Sequence, residues 1–165
     1  MVVIDSRACR SAPSCCARGV DGGKTVRGGK IQIAVETYGI PLAIDVVPAN
    51  RHDTKAIVPV RRALANGGVQ GLALGDRGYR GKRLAEAGQA LGSTVEAIAR
   101  GRDGQFVPAG ICWVVERSCA WLSRYRRLNT IFERSNEHRI AFVAIAFISI
   151  LARRLKRLVV EECSA

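Results

Sequence analysis

A chain of 165 residues with 48% hydrophobic content and a mean hydropathy of +0.07 carries enough apolar material for one core, which excludes a disordered or low-complexity protein. Its 26 Lys and Arg against 14 Asp and Glu leave a net charge of +12 and an isoelectric point of about 10.2, so the first partner to consider is a polyanion, DNA or RNA. The longest apolar run, Ile140 to Leu151, spans 12 residues and is followed by Arg153, Arg154, Lys156 and Arg157. It is too short to cross a bilayer and reads as a buried helix with a basic end.

In chain order, residues 1–7 read as a short strand and residues 8–29 as a loop rich in Gly, Ser, Cys and basic residues. Lys30 to Thr37 alternates apolar and polar, Tyr38 to Pro41 turns, and Leu42 to Pro48 continues as a second long strand, which predicts an antiparallel meander. Thr54 to Ala65 is predicted as a helix capped by Asp53 and stopped by Asn66, Gly67 and Gly68. Leu72 to Asp76 then reads as a strand, Lys82 to Leu91 as a helix, Thr94 to Ala99 as a strand, and Gly101 to Gly110 as a loop. Two helices follow, over about 111–128 and 135–158. This order predicts an α/β fold with a mixed sheet flanked by helices, in one domain over residues 1–165.

Three acids occupy different settings. Asp5 ends an apolar run, Asp76 ends another, and Glu116 sits inside an amphipathic helix. Two carboxylates at neighbouring strand ends and a third on a later helix can converge on divalent cations, which prefer hard, negative oxygen ligands. Each also has an ordinary reading: a strand-end aspartate, a turn aspartate in Gly75-Asp76-Arg77-Gly78, and a solvated glutamate. On the helical wheel of residues 111–128, Ile111, Val114, Ser118, Trp121, Leu122 and Tyr125 share one side, while Glu116 lies opposite with Ser123, Arg124 and Arg127.

Other features carry less chemistry. Cys9, Cys15, Cys16, Cys112, Cys119 and Cys163 include no C-x-x-C pair and read as free thiols, with His52 and His138 too distant in sequence to complete a zinc site. Gly22-Gly23-Lys24-Thr25 imitates the end of a phosphate-binding loop, but Arg18 stands where its first glycine belongs. The stretch reads instead as a flexible basic loop offering Lys24, Arg27 and Lys30 to phosphates. Trp113 and Trp121 read as core.

The segments Asp21 to Ala43, Val46 to Asp53, Gly75 to Gly81, Trp113 to Arg117, Ala120 to Leu122 and Arg126 to Leu128 together resemble the catalytic domain of bacterial insertion-sequence transposases of the DDE type. The resemblance covers nearly the whole chain, with several motifs in the family's order. It implies a ribonuclease-H-like fold, Asp5, Asp76 and Glu116 as catalytic and metal-holding acids, and Mg²⁺ as cofactor, two ions in number, with Mn²⁺ able to substitute. It further implies double-stranded DNA as partner, at transposon ends and target, and a homo-oligomer assembled on that DNA. Lys24, Arg27, Lys30, Arg77, Arg117, Arg124 and Arg127 become the candidates for holding DNA.

The chain departs from the family pattern in places. It begins four residues before Asp5, where members usually carry a helical region credited with binding the element's ends. Cys112 stands where many relatives have an arginine, Ala109 where a tyrosine is expected, and Ser123 where a lysine is common. The alternative reading is a non-catalytic basic DNA-binding fragment or regulator derived from a transposase.

Overall fold

The computed structural model describes residues 1–15, 18–69, 71–75, 93–97 and 112–163. Asp76, Arg77, the helix expected over Lys82 to Leu91 and the loop expected over Gly101 to Gly110 lie outside these residues.

Seven strands of one sheet fall among the described residues: β1 (Val2–Ser11), β2 (Gly19–Asp21), β3 (Val26–Glu36), β4 (Pro41–Pro48), β5 (Gly71–Gly75), β6 (Ser93–Ala97) and β7 (Thr130–Ile131). β1 pairs antiparallel with β3, and β3 antiparallel with β4, so the expected meander is present. On its other edge β1 pairs parallel with β5, and β5 parallel with β6, which makes the sheet mixed. Among the described residues of 8–29, strands replace much of the expected loop. β1 runs on to Ser11, and β2 returns as the first arm of a hairpin into β3. Gly28 permits the close pairing of β3 with β1, because a Cβ there would run into the Cys9 carbonyl and the Arg10 backbone.

Strand alternation divides the core into two layers. Val3 and Cys9 of β1 join Ile31, Ile33 and Val35 of β3 on one face, whereas Val2 and Ile4 join Ala34 on the other. The second face is covered by α1 (Asp53–Ala56) and α2 (Val58–Asn66), through Ile57, Val60 and Leu64. The single helix expected here is broken because Pro59 has no N–H to continue the ladder, and it is accommodated in the first turn of α2. His52, rather than Asp53, caps α1, its ring nitrogen accepting from the Thr54 N–H at 3.4 Å.

The first face is covered by α3 (Cys112–Ser123), α4 (Arg126–Asn129) and α5 (Asn136–Cys163), through Val114, Val115, Leu122, Leu128, Val143, Ala146 and Phe147. Burying each of these side chains other than Ala146 contributes about 1.5–3 kcal/mol. The Ile140–Leu151 run is not buried all round, as its sequence suggested. Val143, Ala146 and Phe147 are buried, whereas Ile145 and Ile148 are exposed. Among the described residues no helix is long and apolar enough to cross a membrane.

Candidate active site

Asp5 lies within β1 rather than at its end. The significant boundary is on the parallel side: the β1–β5 pairing stops at Ile4 and Gly75, so Asp5 is the first β1 residue beyond it. The residue that follows Gly75 in sequence is Asp76. Ligands of α/β sheets collect at such carboxyl ends of parallel strands. Asp5 shares its face with Val3 and Cys9 by the two-residue period, and this is the face that α3 covers.

Electrostatics ties Asp5 to α3. The half-buried Cys119 thiol is pushed up to about 12, first by burial and next by the negative charge of Asp5. Cys119 stands one turn beyond Glu116 on the helix, so the Asp5 carboxylate is felt within a turn of that residue. Glu116 itself is exposed and makes no hydrogen bond or ion pair among the described residues. The expected wheel holds within α3, with Val114, Ser118 and Leu122 buried and Glu116 and Ser123 exposed, but the helix expected over 111–128 ends at Ser123, and Arg127, also exposed, belongs to the separate α4. The thiol stays protonated at neutral pH and offers no soft thiolate to a cation beside Asp5.

Two anchors fix α3. At its middle, the single Ser118 hydroxyl proton is shared between the Val114 carbonyl at 2.9 Å and the Gly39 carbonyl at 3.4 Å, and Arg117 donates to the Tyr38 carbonyl at 3.3 Å. The β3–β4 turn can approach this closely because Gly39 takes φ +83°, and a Cβ there would sit 2.9 Å from Ser118 Oγ. Glu36 braces the turn, accepting from the N–H groups of Tyr38 and Ile40. At the far end, Arg7 donates to Asn129 Oδ1 at 2.6 Å, and Asn129 Nδ2 donates to the Ser123 carbonyl at 2.9 Å. Arg7, two residues past Asp5 on the same strand face, thus fastens β1 to the end of the helix. The period-two spacing from Asp5 was the available sequence signal for Arg7. None existed for Asn129 or Gly39, whose roles depend on contacts distant in sequence.

The basic candidates divide. Lys24 and Arg27 are exposed, Lys24 in the β2–β3 turn and Arg27 at the start of β3. Lys24 acts on Cys9 and Cys119, and so faces the Asp5 side. The turn is built, with Asp21 Oδ1 accepting from the Gly23 and Lys24 N–H groups at 3.0 and 3.1 Å. Arg124 is exposed; Arg127 is exposed but pairs with Glu133 at 3.3 Å.

Two residues must be withdrawn from the DNA-holding set. Lys30 is buried on the opposite face, its ammonium 3.2 Å from both Asp21 and Asp53. Burial pulls its pKa down, but the hydrogen bonds to Asp53 and Asp21 outweigh that and raise it above the ordinary lysine value. Arg117 is stacked between Trp113 and Trp121, at 4.1 and 4.9 Å from the ring centroids. Its pKa is lowered by burial and then by Arg154, which also reaches the Tyr38 carbonyl, at 2.9 Å. Trp113 is therefore 51% exposed rather than core, and Trp121 is half-buried.

Among the described residues no three His, Cys, Asp or Glu side chains gather as a metal site, and Cys9, Cys15 and Cys119 are free thiols. The comparison with known proteins follows the same lines. Residues 2–104 match the family described as the transposase DDE domain. A Burkholderia cepacia protein assigned as the transposase for insertion sequence element IS402 is 32% identical over 139 residues, covering 79% of this chain. The chain spans 65% of the length of that relative. In architecture the chain is similar to the catalytic core domain of BIV integrase, with a TM-score of 0.54 over 90% of this chain and 80% of the other, at 17% identity. That likeness establishes a ribonuclease-H-like fold, and with the family match over residues 2–104 the chain belongs to the DDE transposases.

Proposed function

We propose that this chain is the catalytic domain of a DNA transposase, cutting at transposon ends and joining them to target DNA through Asp5, Asp76 and Glu116. The observation that carries the reading is the common placement of Asp5 and the Glu116-bearing helix on one sheet face, where the β1–β5 pairing stops at Ile4 and Gly75.

The donors fit Mg²⁺ or Mn²⁺. They are carboxylates, the hard oxygen ligands these ions prefer, and the neighbouring Cys119 thiol is held neutral. When bound, such ions activate a water or a DNA 3′-hydroxyl and stabilise the leaving oxygen of an in-line displacement. Asp5, Asp76 and Glu116 would hold them. Lys24, Arg27 and Arg124 would grip backbone phosphates and orient the scissile strand, with Arg77 and, less freely because of Glu133, Arg127. Two copies assembled on DNA would pair the two ends of an element.

The test is nicking of labelled DNA carrying the element's own ends, in Mg²⁺ or Mn²⁺, by the parent and by Asp5→Asn, Asp76→Asn and Glu116→Gln. Each variant is expected to lose at least about a thousandfold in rate, from the several kcal/mol of charge stabilisation that metal ligation supplies. Mn²⁺ binding followed by electron paramagnetic resonance should weaken in the same variants while their urea unfolding stays close to that of the parent. A parent that binds end DNA without cutting it in either ion would favour the regulatory fragment instead.

A further inference from the structure

Helix α5 is a 28-residue element of which the apolar core uses only one side of the first half. Val143, Ala146 and Phe147 are buried in the core and Ile140, Phe142 and Ile150 pack against it, but among the described residues none beyond Ile150 joins either core layer. The opposite side carries a second apolar row. Ala141, Ile145, Ile148, Ala152, Leu155 and Val159 follow each other at alternating four- and three-residue steps, and all six are exposed. Ile145, Ile148, Leu155 and Val159 are each 50–66% exposed, and Leu158 flanks them at 58%. A stripe needed only for packing on the sheet would fall on the core side. An exposed row at heptad spacing is the seam of a helix that packs against another helix of the same period.

We infer that this seam joins two copies of the chain through an antiparallel α5–α5 contact centred on Ala152. The row reads nearly the same from both ends about that residue. Ile145 and Val159 lie seven residues on either side, and Ile148 and Leu155 four and three. Antiparallel pairing therefore sets Ile145 against Val159 and Ile148 against Leu155, with the two small Ala152 side chains at the crossing, where the helices come closest.

Charge selects the direction. Arg153, Arg154, Lys156 and Arg157 form a basic run, of which Arg153 and Arg154 turn over Tyr125 and Trp121 on the core side, while Lys156 and Arg157 stay exposed. Parallel pairing would lay two such runs side by side, whereas the antiparallel arrangement lays each along the uncharged Phe147 to Leu151 of the other copy. A specific interface must bury at least about 1,000 Å² in total, and one helix seam against its copy stands at the small end of that range, so the dimer is weak. The net charge of +12 on each chain opposes it, and added salt should tighten the contact, the reverse of DNA binding.

This surface deepens the assembly proposed above and rests on that reading for its purpose, but it is tested without DNA. Sedimentation equilibrium of the whole chain at micromolar concentrations should show mass rising towards a dimer, more so at higher salt. Ile148→Glu and Leu155→Lys should each give a monomer with unchanged circular dichroism, since both positions are exposed. The double variant Ile148→Glu, Leu155→Lys faces unlike charges across an antiparallel seam and like charges across a parallel one, so it should regain the dimer. A parent that stays monomeric at every concentration and salt overturns the inference, as does a dimer that both single variants leave intact. Single variants that dissociate without recovery in the double variant overturn the antiparallel centre on Ala152. None of these results bears on nicking, and loss of nicking would leave the seam standing.

Discussion

The two faces of the sheet hold acids in opposite circumstances. On the α1–α2 side, Asp21 and Asp53 close on the buried ammonium of Lys30, and Ser6 adds a 3.5 Å hydrogen bond to Asp53. On the α3 side, Asp5 lies beside a neutral thiol, and Glu116 stands exposed without a protein cation among the described residues. One face neutralises its carboxylates internally and gains a fastener for the β2–β3 hairpin. The other leaves Glu116 exposed with no ion pair among the described residues. Residue type alone does not separate these roles, since both sets contain aspartates next to basic residues in sequence. What separates them is which cation the fold brings within reach.

Removing the internal cation gives the largest expected effect on stability. The Lys30 side chain is 9% exposed, and those of Asp21 and Asp53 are 11% and 30% exposed. Lys30→Met should lower unfolding free energy in urea by about 3 kcal/mol, because it strands two carboxylates on a largely buried site. Adding Asp53→Asn should recover part of the loss. A cost under about 1 kcal/mol would class the cluster with ordinary surface pairs and erase the contrast between the faces.

The α3 face should show its character in alkali. Folding raises the Cys119 pKa from 9.0 to about 12, so the unfolded chain releases this proton first. The contribution is fully present below pH 9.0 and is lost as pH rises towards about 12, at no more than about 1.4 kcal/mol per unit. Cys9, raised by burial, acts in the same direction. Lys30, also raised, adds its loss only above 10.5. Urea midpoints between pH 9.0 and 10.5 should therefore fall in the parent and fall less in Cys119→Ala. An unchanged slope in the variant would remove Cys119 from the account.

Sequence patterning carried most of the fold, because alternation in Lys30 to Thr37 signals a strand and the wheel around Glu116 signals a helix with one buried side, although Lys30 and Gln32 on the polar side of the strand are buried as well. It missed the strand character of residues 8–11 and 19–29, where Gly22, Gly23, Gly28 and Gly29 read as loop while serving a turn and a close strand pairing. It placed Glu116 on the exposed side of its helix. It failed on Lys30 and Arg117 because a cation's availability depends on partners distant in the chain: Asp53 for one, and the Tyr38 carbonyl with Trp113 and Trp121 for the other. The α5 seam was hidden for a related reason. An apolar run looks buried until the sheet decides which side of the helix it uses.

The smallest effect sharpens the same comparison on the side of DNA. Each cation that displaces a counterion from a phosphate contributes about 0.9 to the slope of log affinity against log salt. Lys24, Arg27 and Arg124 are exposed, and Lys24 faces the Asp5 side, so replacing any one by Gln should flatten the slope by about that amount while leaving urea unfolding almost unaltered. Lys30 carries the same formal charge six residues from Lys24, yet its ammonium already faces two carboxylates and releases no counterion when DNA binds. Lys30→Met, measured where it remains folded, should therefore lose stability and keep the parent's slope. A flattened slope in that variant would mean that DNA draws the ammonium away from Asp21 and Asp53, and the inner face would then belong to the binding surface as well.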